Sequence, residues 1–252
     1  TIDSPIRVAQ YGISSVISII DDEIIEKMNS LYHKRNNFSY TEISNKSEDY
    51  RAKRITAYLD MVHDVVNMKF ENFKQELSKS KEALNEYIEM LPNKSDLKKG
   101  LESLAEQKEN FTENVRNFLE SHLSPGSIDV NVMTKVDKDN FVKGEQLPVM
   151  YNDAHVSLRG FANSKLSSSI VLSAGMNPRL YSYFESFPDF FPNEKGELRK
   201  KIILKVSDFR SAMIQGNFLA KKGLWVSEYR VESGLNCGGH AFATDGLLLG
   251  PI

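Results

Sequence analysis

The sequence predicts an α/β protein built on a parallel sheet. Short apolar runs that are typical of strands alternate with helical or loop segments in the second half of the chain, which is the pattern of βα units. Glycine turns follow two of these runs, as often happens where a strand ends in an α/β protein. The runs span residues 127–133, 168–173, 201–206 and 224–231.

The amino-terminal segment supplies one further strand to this interpretation. Residues 6–10 are predicted to form the first strand, which a turn through Tyr11 and Gly12 ends. An apolar helix is expected to begin at Ser14 or Ser15. A second helix is expected over residues 21–31, for which Asp21 and Asp22 are N-cap candidates because a carboxylate can accept free backbone N–H groups.

A long segment from about residue 47 to about residue 122 has helical periodicity. It is rich in Lys, Glu and Asn and nearly free of glycine, and its apolar residues recur at intervals of three and four. Pro92 interrupts this pattern. We therefore expect a long antiparallel helical hairpin, closed near Pro92 and inserted after the first strand.

The predicted strands number about five, whereas a closed TIM barrel has eight. A helix that starts near Asp208 and ends at Gly223 separates the last two of them. We expect a TIM-barrel-like fold, truncated after about five strands, with the missing strands beyond Ile252. The barrel domain would comprise residues 1–20 and 125–252, and the helical insertion residues 21–124. Open sheet edges would leave such a fragment marginally stable or dependent on a partner.

Composition excludes several classes of protein. The net charge of −2 gives no electrostatic basis for binding nucleic acid, and no apolar run is long enough for a membrane span. The single cysteine, Cys237, cannot form an internal disulfide and suits the reducing cytoplasm. The histidines at 33, 63, 122 and 155 lack the spacing of a metal site. We expect a cytoplasmic protein that acts on a small molecule and holds no metal; the sequence does not indicate its oligomeric state.

The most distinctive motif follows the last predicted strand, at residues 233–240. Gly238 and Gly239 let the backbone turn tightly and approach a ligand closely, because they lack a Cβ atom. His240 comes directly after them and carries a group that titrates near neutral pH. A strand followed by a glycine turn and a base is a common way to place chemistry at the carboxyl end of a strand.

Taken in chain order, the strand ends resemble those of the nitronate monooxygenases (2-nitropropane dioxygenase-like), an FMN-dependent TIM-barrel family. Residues 8–12 stand where that family has Ala-Pro-Met-Gly, but they lack the Pro-Met pair. Residues 129–132 match a strand whose asparagine contacts the flavin, and residues 170–173 resemble a Val-Val-Ser strand end. Ser207 and Asp208 match the start of the helix after the fourth strand. Residues 233–240 keep the two glycines and the histidine of Gln-Gly-x-Glu-Ala-Gly-Gly-His and lack its Gln and Glu.

This resemblance implies oxidation of a small carbon acid with FMN as cofactor. It implies that His240 is the catalytic base that removes a proton from the substrate. A lysine on a central strand needs a partner, and for Lys205 a flavin, Asp208 or Glu232 could provide one. The positions implied for cofactor binding are Gln10, Tyr11, Gly12, Asn131, Ser173, Lys205, Gly238 and Gly239.

Two alternatives stay open from the sequence. One is a non-catalytic barrel scaffold that uses the helical insertion as a partner-binding arm. The other is a different flavin- or nucleotide-binding barrel enzyme, of the IMP dehydrogenase or glutamate synthase type. Cys237 favours the latter only weakly, since the residues around it differ from the catalytic cysteine loop of IMP dehydrogenases, and it more simply replaces a small apolar residue.

Overall fold

The computed structural model describes residues 2–19, 21–107, 109–132, 137, 139–173 and 175–232. The chain divides into two compact units. The first comprises Thr1–Val130 together with Asn163–Ser168, and the second comprises Asn131–Ala162 together with Ser169–Ile252. The first unit is mainly helical, whereas most of the strands belong to the second.

The amino terminus reverses the predicted order of strand and helix. Helix α1 (Ser4–Val8) and a 3-10 turn (Ala9–Tyr11) occupy the predicted first strand, and strand β1 (Ser15–Ile19) occupies the predicted apolar helix. Both predictions are wrong for local reasons. Pro5 lies in the first turn of α1, where its missing N–H is not needed. In β1 the buried residues alternate, and its β-branched side chains favour an extended backbone.

Within the described part of the first unit, helices fill most of the chain after β1. They are α2 (Asp22–Arg35), α3 (Tyr50–Lys79), α4 (Lys81–Met90), α5 (Asp96–Ala105) and α6 (Phe111–His122). The predicted N-cap of α2 is confirmed, because the carboxylate of Asp21 accepts the N–H groups of Glu23 and Ile24.

The helical character of the insertion is confirmed, but a simple hairpin is wrong. Besides the interruption near Pro92, one helix ends and the next begins at Ser80. The Ser80 hydroxyl accepts the N–H of Ala83 and thereby caps α4. The separate helices bury their apolar faces in one cluster. Each of α3, α4, α5 and α6 contributes a leucine to it: Leu77, Leu84, Leu101 and Leu119.

The remaining elements build the sheet. In chain order they are β2 (Ile128–Val132), β3 (Phe141–Val142), β4 (Glu145–Gln146), α7 (Asp153–Ala162), β5 (Ser169–Leu172), α8 (Pro178–Tyr183), β6 (Lys201–Val206), α9 (Phe209–Ala220) and β7 (Val226–Val231). β3 and β4 form a short antiparallel pair. The strand predictions for β2, β5, β6 and β7 are confirmed, as is the start of α9 at Asp208.

The longer strands of the described chain form one parallel sheet of five, in the order β1-β2-β5-β6-β7. The strands of this sheet follow their order in the chain, apart from the separate β3–β4 pair that lies between β2 and β5, so every crossover advances in the same direction. A doubly wound sheet would instead reverse its direction at a switch point. Sequential order also occurs in barrels, but the described residues close no barrel, and the predicted TIM-barrel-like arrangement is not confirmed.

Towards their carboxyl ends, strands β6 and β7 have one apolar and one polar face, although the buried Ile203 also lies on the polar side. The register pairs Leu204 with Tyr229, and side chains paired in this way point to the same side of the sheet. Helix α9 covers that side, since a Cβ atom at Gly216 would come within 2.1 Å of the Tyr229 hydroxyl. The opposite side carries another register pair, Lys205 and Arg230. We call this opposite side the polar face.

Candidate ligand-binding site

Asn131 and Ser173 lie at the carboxyl ends of β2 and β5. Ser173 follows β5 directly, and its hydroxyl donates a 2.7 Å hydrogen bond to the carbonyl oxygen of Val132. Val132 is the last residue of β2, and the buried Asn131 precedes it. Two of the residues that the resemblance implies for cofactor binding are therefore at the same edge of the sheet, and one of them bonds to the neighbouring strand.

Lys205 lies on the polar face, next to the carboxyl end of β6. Its Nζ atom is 3.3 Å from Oε1 of Glu232, the residue that follows β7, and the two side chains are 20% and 30% exposed. The prediction that Glu232 could serve as a partner of Lys205 is confirmed by this ion pair. The pair lies near enough to solvent that a ligand could still reach the ammonium group.

The strand register connects these positions. Leu172 at the end of β5 pairs with Leu204 of β6. Continuing that register by one residue places Ser173 beside Lys205. Polar residues thus follow one another along one edge of the sheet, at the carboxyl ends of neighbouring strands. We call this set the carboxyl-edge cluster: Asn131, Ser173, Lys205 and Glu232.

A cleft of about 290 Å³ opens at the amino end of α9. Asp208 and Arg210 line it together with Met176 from the loop after β5. Asp208 acts as the N-cap, since its carboxylate accepts the N–H of Ser211 at 2.7 Å. That bond, with a second from the hydroxyl of Ser207, lowers the pKa of Asp208. Asp208 therefore stabilises the start of α9, and Lys205 is paired with Glu232 instead.

A buried pair that the sequence analysis missed lies in the loop after β2. Oδ2 of Asp137 is 2.8 Å from Nδ1 of His155, whose side chain is almost fully buried in α7. Oδ1 of Asp137 accepts the N–H of Ala154 at 3.0 Å, and the amide of Asn177 lies 3.5 Å from Oδ2. Asp137 thereby connects the start of α7 with Asn177, the residue that caps α8.

The ionisation of Asp137 depends on these contacts. Burial opposes the charged form, but the hydrogen bonds from His155 and from the backbone of Ala154 outweigh it and lower the pKa of Asp137. No local pattern could have revealed the pair, because its members are separated by a strand hairpin and lie on different elements.

Gln10, Tyr11 and Gly12 do not lie at the carboxyl end of a strand, so the prediction that they follow the first strand is wrong. They precede β1, beside the amino ends of β1 and β2, where the N–H of Gly126 donates a 2.8 Å hydrogen bond to the carbonyl of Ala9. The carbonyl of Tyr11 accepts a hydrogen bond from the hydroxyl of Tyr87. This segment therefore helps to hold the helical unit together.

The catalytic prediction, His240, and the glycines Gly238 and Gly239 lie outside the described residues, as does Cys237. In the part of the chain that the structure covers, no three His, Cys, Asp or Glu side chains are grouped so that they could hold a metal ion. No described helix combines the length and the apolar character that a membrane crossing requires.

Comparison of the chain with protein-family models, with curated proteins and with solved structures found no match. The resemblance to the nitronate monooxygenases therefore stays a prediction from short motifs.

Proposed function

We propose that this chain carries the flavin-binding edge of an FMN-dependent oxidoreductase of the nitronate monooxygenase type, which oxidises a small carbon acid. One observation carries the proposal: Ser173, Lys205 and Glu232 lie at the carboxyl ends of three neighbouring parallel strands. Ligands of α/β enzymes bind at this edge of the sheet.

The chemistry of the cluster suits a flavin ring. The ring has carbonyl oxygens and ring nitrogens that accept hydrogen bonds, and one N–H group that donates. Ser173 and Lys205 can donate to the acceptors, whereas the amide of Asn131 can both donate and accept. When bound, the flavin would supply the electron transfer, and the protein would supply its orientation and electrostatic surroundings.

Three residues of the cluster, together with His240, would have distinct tasks. Lys205 would place positive charge beside a ring that becomes more electron-rich on reduction. Glu232 would hold that ammonium at the end of β6 through the 3.3 Å contact. The hydroxyl of Ser173, fixed by its bond to Val132, would orient the ring edge. His240 would take the substrate proton, the task that the resemblance implies for it.

The proposal can be tested by titrating the 252-residue chain with FMN and following the quenching of flavin fluorescence. We expect the chain to bind FMN and Lys205→Met to raise the dissociation constant roughly tenfold or more, the effect of losing one charge-assisted hydrogen bond. Lys201→Met is the matched control, because Lys201 lies on the same strand and face but is exposed at the amino end. It should change the dissociation constant less than about twofold.

Riboflavin, which lacks the phosphate, sharpens this experiment. If Lys205 contacts the ring, Lys205→Met should weaken riboflavin and FMN binding by the same factor. An effect on FMN alone would place Lys205 at the phosphate instead. A chain that binds neither compound, or one that responds equally to both lysine variants, would contradict the proposal and favour a scaffold without a cofactor.

The role of His240 has its own test, in which turnover of a nitronate is measured with bound flavin. His240→Ala should reduce turnover by ~10²–10⁴-fold, the usual contribution of a positioned general base, and should retain the flavin. Loss of the flavin in this variant, or unchanged turnover, would exclude the role of a base.

A further inference from the structure

The outer edge of strand β7 can pair with a further strand. Within the described residues β7 has a strand neighbour on one side only, since it ends the sheet. The N–H of Glu232 donates to the carbonyl of Val206, so Glu228 and Arg230, in the regular part of β7, direct their backbone groups towards β6. Because these directions alternate along a regular strand, Tyr229 and Val231 direct their N–H and C=O groups towards the open edge, whereas an irregularity in the register interrupts the alternation at Ser227. Such an edge is a template for strand pairing.

Apolar side chains line the same edge. Phe209, Met213 and Gly216 share one side of helix α9, because they lie four and three residues apart. That side lies against Tyr229, as the close approach of the Tyr229 hydroxyl to Gly216 shows. Phe209 is 80% exposed and Val231 is 65% exposed. Apolar groups that cluster in this way on a surface usually mark a binding interface.

The charges on β7 indicate what the edge binds. Glu228 and Arg230 point to the polar face on either side of Tyr229 and are paired within the chain. Antiparallel pairing with a second copy, centred on Tyr229, would set Glu228 of each copy opposite Arg230 of the other. The four charges would then alternate around the two-fold axis. The strand is thus self-complementary in charge, as an interface between identical chains requires.

The backbone agrees with the same register. In an antiparallel pair, hydrogen-bonded positions alternate with positions at which the side chains approach more closely. Centring on Tyr229 makes Tyr229 a hydrogen-bonded position, and Val231 would be the next one along the strand. The backbone groups of both residues point outward. Glu228 and Arg230 would occupy the alternate positions, where opposite charges on facing strands interact best.

From this agreement we propose that the chain forms a symmetric homodimer by antiparallel pairing of its β7 edges. The proposal is independent of the proposed function, because it involves no flavin and no catalytic group. It accounts for the polar backbone groups, the apolar strip and the alternating charges at one place on the molecule.

Light scattering after size-exclusion chromatography, over a range of protein concentrations, tests the proposal. The 252-residue chain should have the mass of a dimer that dissociates on dilution. Glu228→Arg and Arg230→Glu should each raise the dimer dissociation constant roughly tenfold, because each places like charges opposite each other twice. The double variant that exchanges the two charges should restore dimerisation to within about threefold of the original chain. Misfolding of the single variants could not produce this rescue.

A backbone variant provides a second arm of the experiment. Val231→Pro removes an N–H that points to the open edge and breaks no bond to β6, since proline is tolerated at such edge positions. It should weaken the dimer without lowering the melting temperature of the monomer. A chain that stays monomeric at every concentration, that associates with another protein instead, or whose dimer ignores both the charge exchange and Val231→Pro would overturn the proposal.

Discussion

The lysines at the two ends of strand β6 differ in burial and in partner. Before its amino end, Lys200 is fully buried; its Nζ atom donates a 2.7 Å hydrogen bond to the carbonyl of Phe161 and lies 4.4 Å from the centre of that ring. At the carboxyl end, the side chain of Lys205 stays partly exposed beside Glu232. A fully buried ammonium fastens β6 to α7, whereas an accessible one can still meet a ligand. The amino end thus serves the fold, and the carboxyl end retains the capacity to bind.

The first unit also has close packing at the amino ends of its strands. A Cβ atom at Gly126 would lie 2.0 Å from the carbonyl oxygen of Ile13, so backbone touches backbone there. Any side chain at that position would force the two segments apart. This contact explains why Gln10 and Gly12 belong to a structural turn, although the resemblance implies a flavin beside them.

Replacing Lys200 should lower the free energy of unfolding more than the other changes described below, so it tests the structural role of the amino end of β6. Lys200→Ala should lower the free energy of unfolding by about 3 kcal/mol, since it empties the space of a buried stem and leaves the carbonyl of Phe161 without this donor. Urea denaturation measures the loss. Lys201→Ala, the neighbouring exposed lysine, should change stability by less than about 0.5 kcal/mol. Equal effects would show that the two ends of β6 do not differ as described.

A smaller effect is expected from Asp137→Asn, which weakens the contacts of the loop after β2. At neutral pH the variant should lose about 1–2 kcal/mol of stability, the cost of a poorly satisfied buried hydrogen-bonding group. The pKa of Asp137 is lowered in the folded chain, so its stabilising effect is present above the ordinary value of 3.8 and is lost as the pH falls through the lowered value. The unfolding curves of variant and original chain should therefore converge below about pH 4.

Asp60 provides a control, because its contribution to the pH dependence of stability has the opposite sign. Burial raises its pKa, although Lys165 opposes the shift, so its charge costs stability at neutral pH and the cost disappears as the pH falls through the raised value. Asp60→Asn should remove that opposite pH dependence. If Asp137→Asn and Asp60→Asn alter the pH profile in the same direction, the contacts described for Asp137 do not control its ionisation.

Much of the sheet could be predicted from the sequence, because apolar runs bounded by turns report burial directly. The run at Lys201–Val206 coincides with β6 residue for residue. The amino terminus could not be predicted in this way. Val16, Ile17 and Ile19 suit either a short strand or an apolar helix, and periodicity alone does not decide between the two over so few residues.

The residues of the candidate site likewise differ in whether the sequence predicts them. Lys205 and Glu232 could be predicted as partners, since both follow from where neighbouring parallel strands end. Asp137 and His155 could not, because a loop whose path the sequence does not determine brings them together. A short motif match likewise cannot locate a turn: residues 8–12 resemble a flavin-contacting strand end and yet lie before β1.

Lys205→Met should lower the free energy of unfolding less than Lys200→Ala or Asp137→Asn does. This small loss makes the variant the most direct test of whether the two ends of β6 differ in function. Ion pairs that solvent can reach contribute at most about 1 kcal/mol, because water screens their attraction and ordering the side chains costs entropy. We therefore expect urea denaturation to detect a loss below about 1 kcal/mol, about a third of that for Lys200→Ala, together with a clear loss of FMN affinity. A stability loss as large as that of Lys200→Ala would make Lys205 a structural lysine. Unchanged stability with unchanged FMN affinity would instead show that the exposed ammonium at the carboxyl end of β6 serves neither the fold nor the flavin.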